Sequence, residues 1–218
     1  MALPFTAEQF YSVFRTYNET VWPVQVFLLG LALLAVALVL RPRAWTDAAV
    51  AAILGILWTW QALAYHLAFF VQINALAYGF AALSLAGAGV FFWQGVIRHR
   101  LRFSWQPGTR SIAGAFLVIF ALVAYPVWSW HAGHVYPAMP TFGLPCPTTL
   151  FTLGILAFLT PGYPRSPLVV PTVWCFIGAQ AAFLLEVPQD LALLVAGAFG
   201  LLLMARRKAP GTAGKPTG

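Results

Sequence analysis

Long runs of apolar residues, separated by short polar or basic breaks, dominate the amino-acid sequence. Seven of these runs reach or approach the ~20 residues that a helix needs to cross the ~30 Å hydrocarbon core of a bilayer. Apolar and polar residues do not alternate within them, as they would in a membrane barrel, so the pattern predicts helices throughout. The predicted spans are residues 21–40, 47–70, 75–97, 110–130, 147–161, 167–186 and 190–205.

The first 20 residues predict a helix that lies along the membrane surface. Thr6 and Gln9 have the spacing of a capping box, in which each side chain bonds the backbone N–H of the other residue. Phe10, Phe14 and Tyr17 then recur on one helical face, which predicts an amphipathic interfacial helix over residues 7–19. A polar tail is the alternative. No basic region precedes an apolar one here, so a cleavable signal peptide is not expected.

The composition agrees with a membrane protein and excludes other classes. Apolar residues make up 61% of the 218 residues and charged residues only 8%, too few to cover the surface of a soluble domain. The same proportions exclude intrinsic disorder, and two cysteines exclude a disulfide scaffold. We therefore predict an all-α, polytopic bundle of seven transmembrane helices, a single membrane domain over residues 1–208, and a disordered tail over 209–218.

The distribution of charge predicts the orientation of the bundle. With the N-terminus outside, eleven of the twelve Lys and Arg residues fall on the cytoplasmic side, and only Arg15 falls on the other. Four of the five acidic residues lie outside. Because Lys and Arg are retained in cytoplasmic loops, an outer N-terminus and a cytoplasmic C-terminus are expected. The basic charge then needs no nucleic-acid partner, and the expected partner is the lipid bilayer.

Residues 131–147 form an unusual segment, which we call the insertion. It has no Asp, Glu, Lys or Arg but contains four prolines and two glycines, so it cannot be a regular helix. The span that follows, 147–161, is too short to cross the hydrocarbon core. Both features are explained if the insertion dips into the protein, where irregular backbone is tolerated. The short helix would then present free N–H groups, starting at Pro147, to a cavity.

Most polar side chains lie toward the predicted outer ends of the spans, and they define a candidate binding site. Titratable and hydroxyl groups at membrane depth are functional candidates, and those near the insertion would bind a small polar or anionic solute. The candidate ligand-binding residues are Tyr65, His66, His131, His134, Tyr136, Thr148 and Thr149. No metal site is favoured. The alternative is a zinc site that uses His66, His131, His134 and Glu186.

Several short motifs are more specific than the general apolar pattern. They are Phe5-Thr6-Ala7-Glu8-Gln9-Phe10, Tyr65-His66, Phe69-Phe70, Ile73-Asn74, Gly133-His134-Val135-Tyr136-Pro137, and Pro140-Thr141-Phe142-Gly143-Leu144-Pro145-Cys146-Pro147-Thr148-Thr149. Together they resemble a bacterial membrane-protein family that is catalogued only as a domain of unknown function. The resemblance extends from the N-terminus to about residue 200. It implies a multi-pass protein of a bacterial inner membrane, and it implies no activity.

Three functions fit this sequence. The first is binding or transport of a small polar solute or ion through an outward-facing polar site. The second is a membrane-embedded metal-dependent hydrolase, in which zinc would activate water. The third is a non-catalytic partner subunit or sensor, and a homo-oligomer is compatible with each. The sequence lacks the usual phosphate-loop, zinc-protease and serine-hydrolase motifs, so it does not assign an enzyme class.

Overall fold

The computed structural model describes residues 4–205, which form ten α-helices and, apart from two isolated bridges, contain no β-strand. The helices are α1 (Ala7–Val21), α2 (Val24–Leu40), α3 (Thr46–Trp60), α4 (Ala77–Phe91), α5 (Thr109–Ile119), α6 (Tyr125–His131), α7 (Pro145–Leu156), α8 (Ser166–Gly178), α9 (Gln180–Leu184) and α10 (Leu191–Ala205). The predicted tail 209–218, and the basic residues Arg206, Arg207, Lys208 and Lys215, lie outside the described residues.

Three π-helical segments extend the long helices without interrupting them. They follow α3, α4 and α5, respectively: Gln61–Leu67, Phe92–Ile97 and Phe120–Ala124. The last one ends directly before Tyr125 and Pro126, where a kink is predicted because proline lacks the N–H of a regular turn. The irregularity at this proline is thus a widened turn on its N-terminal side. The first segment carries Tyr65 and His66, and π turns are often found at functional sites.

Five helical stretches within residues 4–205 are long and apolar enough to cross a membrane, or six if α1 and α2 form one bent span. The five are Thr46–Gln72, Ala77–Ile97, Thr109–His131, Ser166–Leu184 and Pro188–Ala205. Seven spans were predicted. The two that fall short are α2, which follows an 88° bend after α1, and the 12-residue helix α7.

Helix α7 lies at the centre of the bundle, which explains its short length. Every one of its residues is buried except Cys146, which is half-buried. It packs tightly against α5, because a Cβ on Gly154 would lie 2.8 Å from the carbonyl oxygen of Gly114. A helix surrounded by protein does not have to match the thickness of the lipid, since it has no lipid-exposed surface to cover.

The loops that carry most arginines meet at one end of the bundle, which we call the basic end. Asp47, at the start of α3, accepts a hydrogen bond from the backbone N–H of Phe103 at 2.7 Å. The N–H of Thr160 donates to the carbonyl of Arg102 at 2.8 Å, and the Arg110 guanidinium donates to the carbonyl of Leu156. These contacts join the loop after α4, the start of α5 and the end of α7.

Helix α1 begins as predicted, with a complete capping box between Thr6 and Gln9. Its apolar face is covered by protein. Phe10, Phe14 and Tyr17 are buried together with Tyr65, Phe70 and residues from the turn before α10. The exposed face carries charged and polar side chains such as Glu8, Arg15 and Glu19. Helix α1 therefore covers the end of the bundle opposite the basic end.

Candidate functional site

The insertion enters the protein in its second half. Its first part, 131–136, is mostly exposed, whereas Met139, Pro140 and Gly143–Pro145 are buried beneath α1. The predicted dip into the protein therefore applies to the part after Tyr136. Because this backbone is irregular, its carbonyl groups need partners from elsewhere in the chain.

Asn18 on α1 supplies those partners. The Asn18 amide nitrogen donates to the carbonyls of Pro137 and Met139, at 2.5 and 2.8 Å. Its amide oxygen accepts from the Gln25 amide at 2.5 Å and from the Thr141 hydroxyl at 2.7 Å. The Tyr136 hydroxyl also donates to the Asn18 carbonyl, at 3.2 Å. Asn18 is fully buried, so this one side chain fixes the insertion to α1.

Gly143 allows the insertion to pass between α1, α2 and α3. Its φ is +101°, a conformation that favours glycine, and a Cβ there would lie 2.6 Å from Leu28. The same Cβ would lie 3.5 Å from the Tyr17 hydroxyl. This hydroxyl accepts a hydrogen bond from the Trp60 indole at 2.7 Å. Close packing on both sides therefore holds the backbone at residue 143 in place.

A cavity of about 360 Å³ lies between α1, the insertion, α8 and the turn before α10. Its wall is mostly apolar and aromatic, including Phe10, Phe14 and Phe70. Such a wall, with a few polar atoms, is typical of small-molecule sites. A second cavity of about 290 Å³ lies beside α2 and α6, and the two share Tyr125, Pro140 and Pro147 in their walls.

Polar groups of the larger cavity are concentrated around Asp190. The carboxylate of Asp190, 1% exposed, accepts a hydrogen bond from the Tyr125 hydroxyl at 2.5 Å. The Cys146 thiol lies within hydrogen-bonding reach of the same carboxylate. Trp174 and His66 complete this part of the wall, with ring centroids 5.1 Å apart. Neither ring nitrogen of His66 has a hydrogen-bond partner within the described residues.

The structure brings together only part of the predicted ligand-binding set. Tyr65 and His66 line the cavity. Thr148 and Thr149 are fully buried in α7 and do not belong to its wall, and His131 is exposed at the end of α6. These last three side chains do not contact the cavity.

His134 and Tyr136 do not line the larger cavity. They attach the insertion to α1, the helix that covers it. The His134 ring stacks on Tyr11 of α1, with centroids 3.9 Å apart and an angle of 9° between the planes. The Tyr11 hydroxyl donates to the carbonyl of Glu186 at 2.9 Å. Partial burial lowers the pKa of His134, and the nearby Glu186 carboxylate opposes that change. Through Tyr136 and His134, the exposed half of the insertion is attached to α1.

The N-terminus of α7 differs from the prediction. The helix begins at Pro145 rather than Pro147, so two of its first three residues are prolines without an N–H group. The N–H of Thr148 is already bonded to the carbonyl of Leu144 at 3.2 Å. Pro147 and Thr148, two of the three positions predicted to start the helix, therefore offer no free N–H group to an anion. This helix end is therefore a weak anion site.

The four residues of the alternative zinc site are not assembled. Within residues 4–205, no group of three or more His, Cys, Asp or Glu side chains is arranged so that it could hold a metal ion. His66 lies inside the cavity, His134 stacks on α1, and His131 and Glu186 are exposed. A metal-dependent hydrolase has no geometric support from these residues.

Sequence reasoning missed three residues of this region. Asn18 gives little signal, because one asparagine in an amphipathic helix is ordinary. Asp190 was counted among the outer acids, although a carboxylate directly before the apolar run 191–205 could have signalled a buried charge. Trp174 was not assigned. The distant pairing of Tyr125 with Asp190 depends on tertiary structure and has no local pattern.

One protein family matches the chain. It is described as a family of unknown function (DUF6064), and its model matches residues 7–214. No curated protein and no solved structure matches the chain.

Proposed function

Because the chain belongs to the DUF6064 family of unknown function, we propose its function from the geometry of the cavity: it binds a small organic solute inside the membrane, as the first step of transport. The observation that carries this proposal is the cavity of about 360 Å³ with Asp190, His66 and Trp174 in its wall. Binding sites commonly combine an apolar wall with a few converging polar groups. The unpartnered nitrogens of His66 favour a ligand, because buried polar atoms normally have partners.

We further propose that the chain crosses a bacterial inner membrane seven times, with α2 as one additional crossing and the buried insertion together with α7 as the other. Seven arginines of the described loops support this orientation, because they lie at the basic end: Arg41, Arg43, Arg98, Arg100, Arg102, Arg110 and Arg165. Lys and Arg prefer the cytoplasmic side, so the cavity would open outward. Alkaline phosphatase and green fluorescent protein, each fused to the C-terminus, test whether that terminus is cytoplasmic, as seven crossings from an outer N-terminus require. Phosphatase activity without fluorescence would overturn it.

Binding is tested with three probes that share a benzyl or phenyl group: benzylammonium, benzyl alcohol and benzoate. Equilibrium dialysis against the protein in nanodiscs, corrected for empty nanodiscs, measures saturable binding. We expect at least one probe to bind the wild type and to lose that binding in Ala181→Phe, which places a ring in the cavity wall. Ala182→Phe is the matched control, because Ala182 is similarly half-buried but outside the wall. Absence of saturable binding, or equal binding by both variants, would refute the proposal.

Transport is tested with the probe that binds. Proteoliposomes that contain the wild type should take up the radiolabelled probe faster than empty liposomes, and Ala181→Phe should remove that difference. Uptake at the rate of empty liposomes, despite saturable binding, would limit the function to binding. A sensor or partner subunit would then be the better description.

A further inference from the structure

The wall of the cavity combines a buried acid with many aromatic rings. Eight of its twenty-four side chains are Phe, Tyr or Trp. Among these twenty-four residues, all within the described part of the chain, none is Lys or Arg. Asp190 is thus a buried acid in a largely aromatic wall without Lys or Arg.

We propose that the natural ligand of this cavity is a lipophilic organic cation, specifically a protonated amine with an apolar body. This inference rests on the proposed function and specifies its substrate class. A carboxylate inside a membrane protein is costly unless it is both hydrogen-bonded and paired with an opposite charge. Tyr125 donates a hydrogen bond to Asp190 and the Cys146 thiol lies within hydrogen-bonding reach, but neither provides a positive charge. An ammonium group would provide that charge.

The aromatic wall favours the same ligand. Ring faces carry partial negative charge and attract cations, more strongly where water is excluded. Tyr65 and Phe70 stack with centroids 5.6 Å apart, and Phe80 meets Trp174 edge-on at 5.3 Å. These rings also suit the apolar body of the amine. A fully hydrated inorganic cation would gain little from such a wall.

His66 distinguishes an amine from other ligands with a positive charge. Both of its ring nitrogens lack a partner within residues 4–205, although the residue is 1% exposed. A neutral imidazole carries one acceptor nitrogen, which can receive an N–H of the ammonium group. The amine would therefore donate to Asp190 and to His66 while its body contacts the rings.

An anionic ligand is disfavoured by the same residues. It would lie near the Asp190 carboxylate without a Lys or Arg in the wall to balance the charge. The two prolines at the start of α7 also remove the N–H groups that commonly bind anions at a helix end. Of the polar and anionic solutes that the sequence alone predicts, the cavity therefore disfavours the anionic ones.

The three benzyl and phenyl probes test this inference. We expect wild-type protein in nanodiscs to bind benzylammonium about tenfold more tightly than benzyl alcohol, since one charge-assisted hydrogen bond is worth about that ratio. Benzoate should show no saturable binding. Asp190→Asn should weaken benzylammonium binding about tenfold and leave benzyl alcohol binding unchanged. Glu19→Gln is the matched control, because it removes an acid from exposed α1 outside the cavity wall.

The outcomes separate this inference from the proposed function. If benzyl alcohol or benzoate binds as tightly as benzylammonium, and Ala181→Phe blocks that binding, the cavity is a ligand site but the cation preference is wrong. If no probe binds, the proposed function is wrong as well. Should Asp190→Asn fail to fold, the order of affinities in the wild type still decides, and His66→Phe should selectively weaken benzylammonium binding.

Discussion

Replacement of Asn18 by alanine should detach the insertion from α1. The amide of Asn18 makes four hydrogen bonds, two to backbone carbonyls and two from the side chains of Gln25 and Thr141. At about 1 kcal/mol each, they contribute about 4 kcal/mol to the free energy of unfolding. Because neighbouring bonds are not strictly additive, we expect Asn18→Ala to destabilise the protein by about 3–5 kcal/mol.

Steric trapping in bicelles measures this free energy directly. Asn18→Asp keeps the two acceptor bonds and loses the two donated bonds, so its loss should be at least half as large. Thr16→Ala on the exposed face should change the free energy by less than about 0.5 kcal/mol, because Thr16 bonds only within α1. A loss below about 1 kcal/mol for Asn18→Ala, with residues 131–141 still resistant to protease, would refute the role of Asn18.

Three other substitutions test the packing and the cover of the cavity. Gly154→Ala should lower the free energy of unfolding in bicelles by about 1–3 kcal/mol, since the new Cβ would meet the Gly114 carbonyl. Gly30→Ala is the control and should be neutral or slightly stabilising, because nothing lies within 4 Å of its Cβ position. Thr6→Ala should destabilise α1 by about 1 kcal/mol, because the helix loses its N-cap. Hydrogen exchange in the first turn of α1 should then be faster, and unchanged exchange would argue against the cap. The pKa of His134 is lowered in the folded protein. The contribution of this residue to the free energy of unfolding is therefore complete above pH ~6.5 and is lost as the pH falls. The protection of amides 131–136 against hydrogen exchange, corrected for the intrinsic pH dependence of exchange, should therefore fall in acid, and His134→Phe should reduce that change.

The all-helical architecture and the N-terminal capping box were predictable because both depend on local or periodic signals. Long apolar runs specify helices whatever they pack against. The Thr6 and Gln9 side chains interact over three residues.

The site was harder to predict because its contacts join residues far apart in sequence. Tyr125 bonds Asp190 across 65 positions, and Asn18 bonds Met139 across 121. Helical spacing cannot reveal such pairs. His66 was identified because an imidazole at membrane depth is conspicuous by itself. Thr148 and Thr149 were assigned to the cavity on the assumption that α7 begins at Pro147, whereas the helix begins two residues earlier, at Pro145, and both threonines lie in the core.

The short length of α7 and the existence of the cavity have one physical cause. The rule of ~20 residues per span applies to helices that face lipid, whereas α7 is enclosed by other helices. Its 12 residues extend ~18 Å from the basic end, where Leu156 bonds Arg110, and so end ~12 Å short of a 30 Å core. The buried insertion and the cavity occupy that remaining depth. The first residues of α7, Pro145, Cys146 and Pro147, lie in the cavity wall, so the helix that fails the length criterion ends at the proposed ligand site.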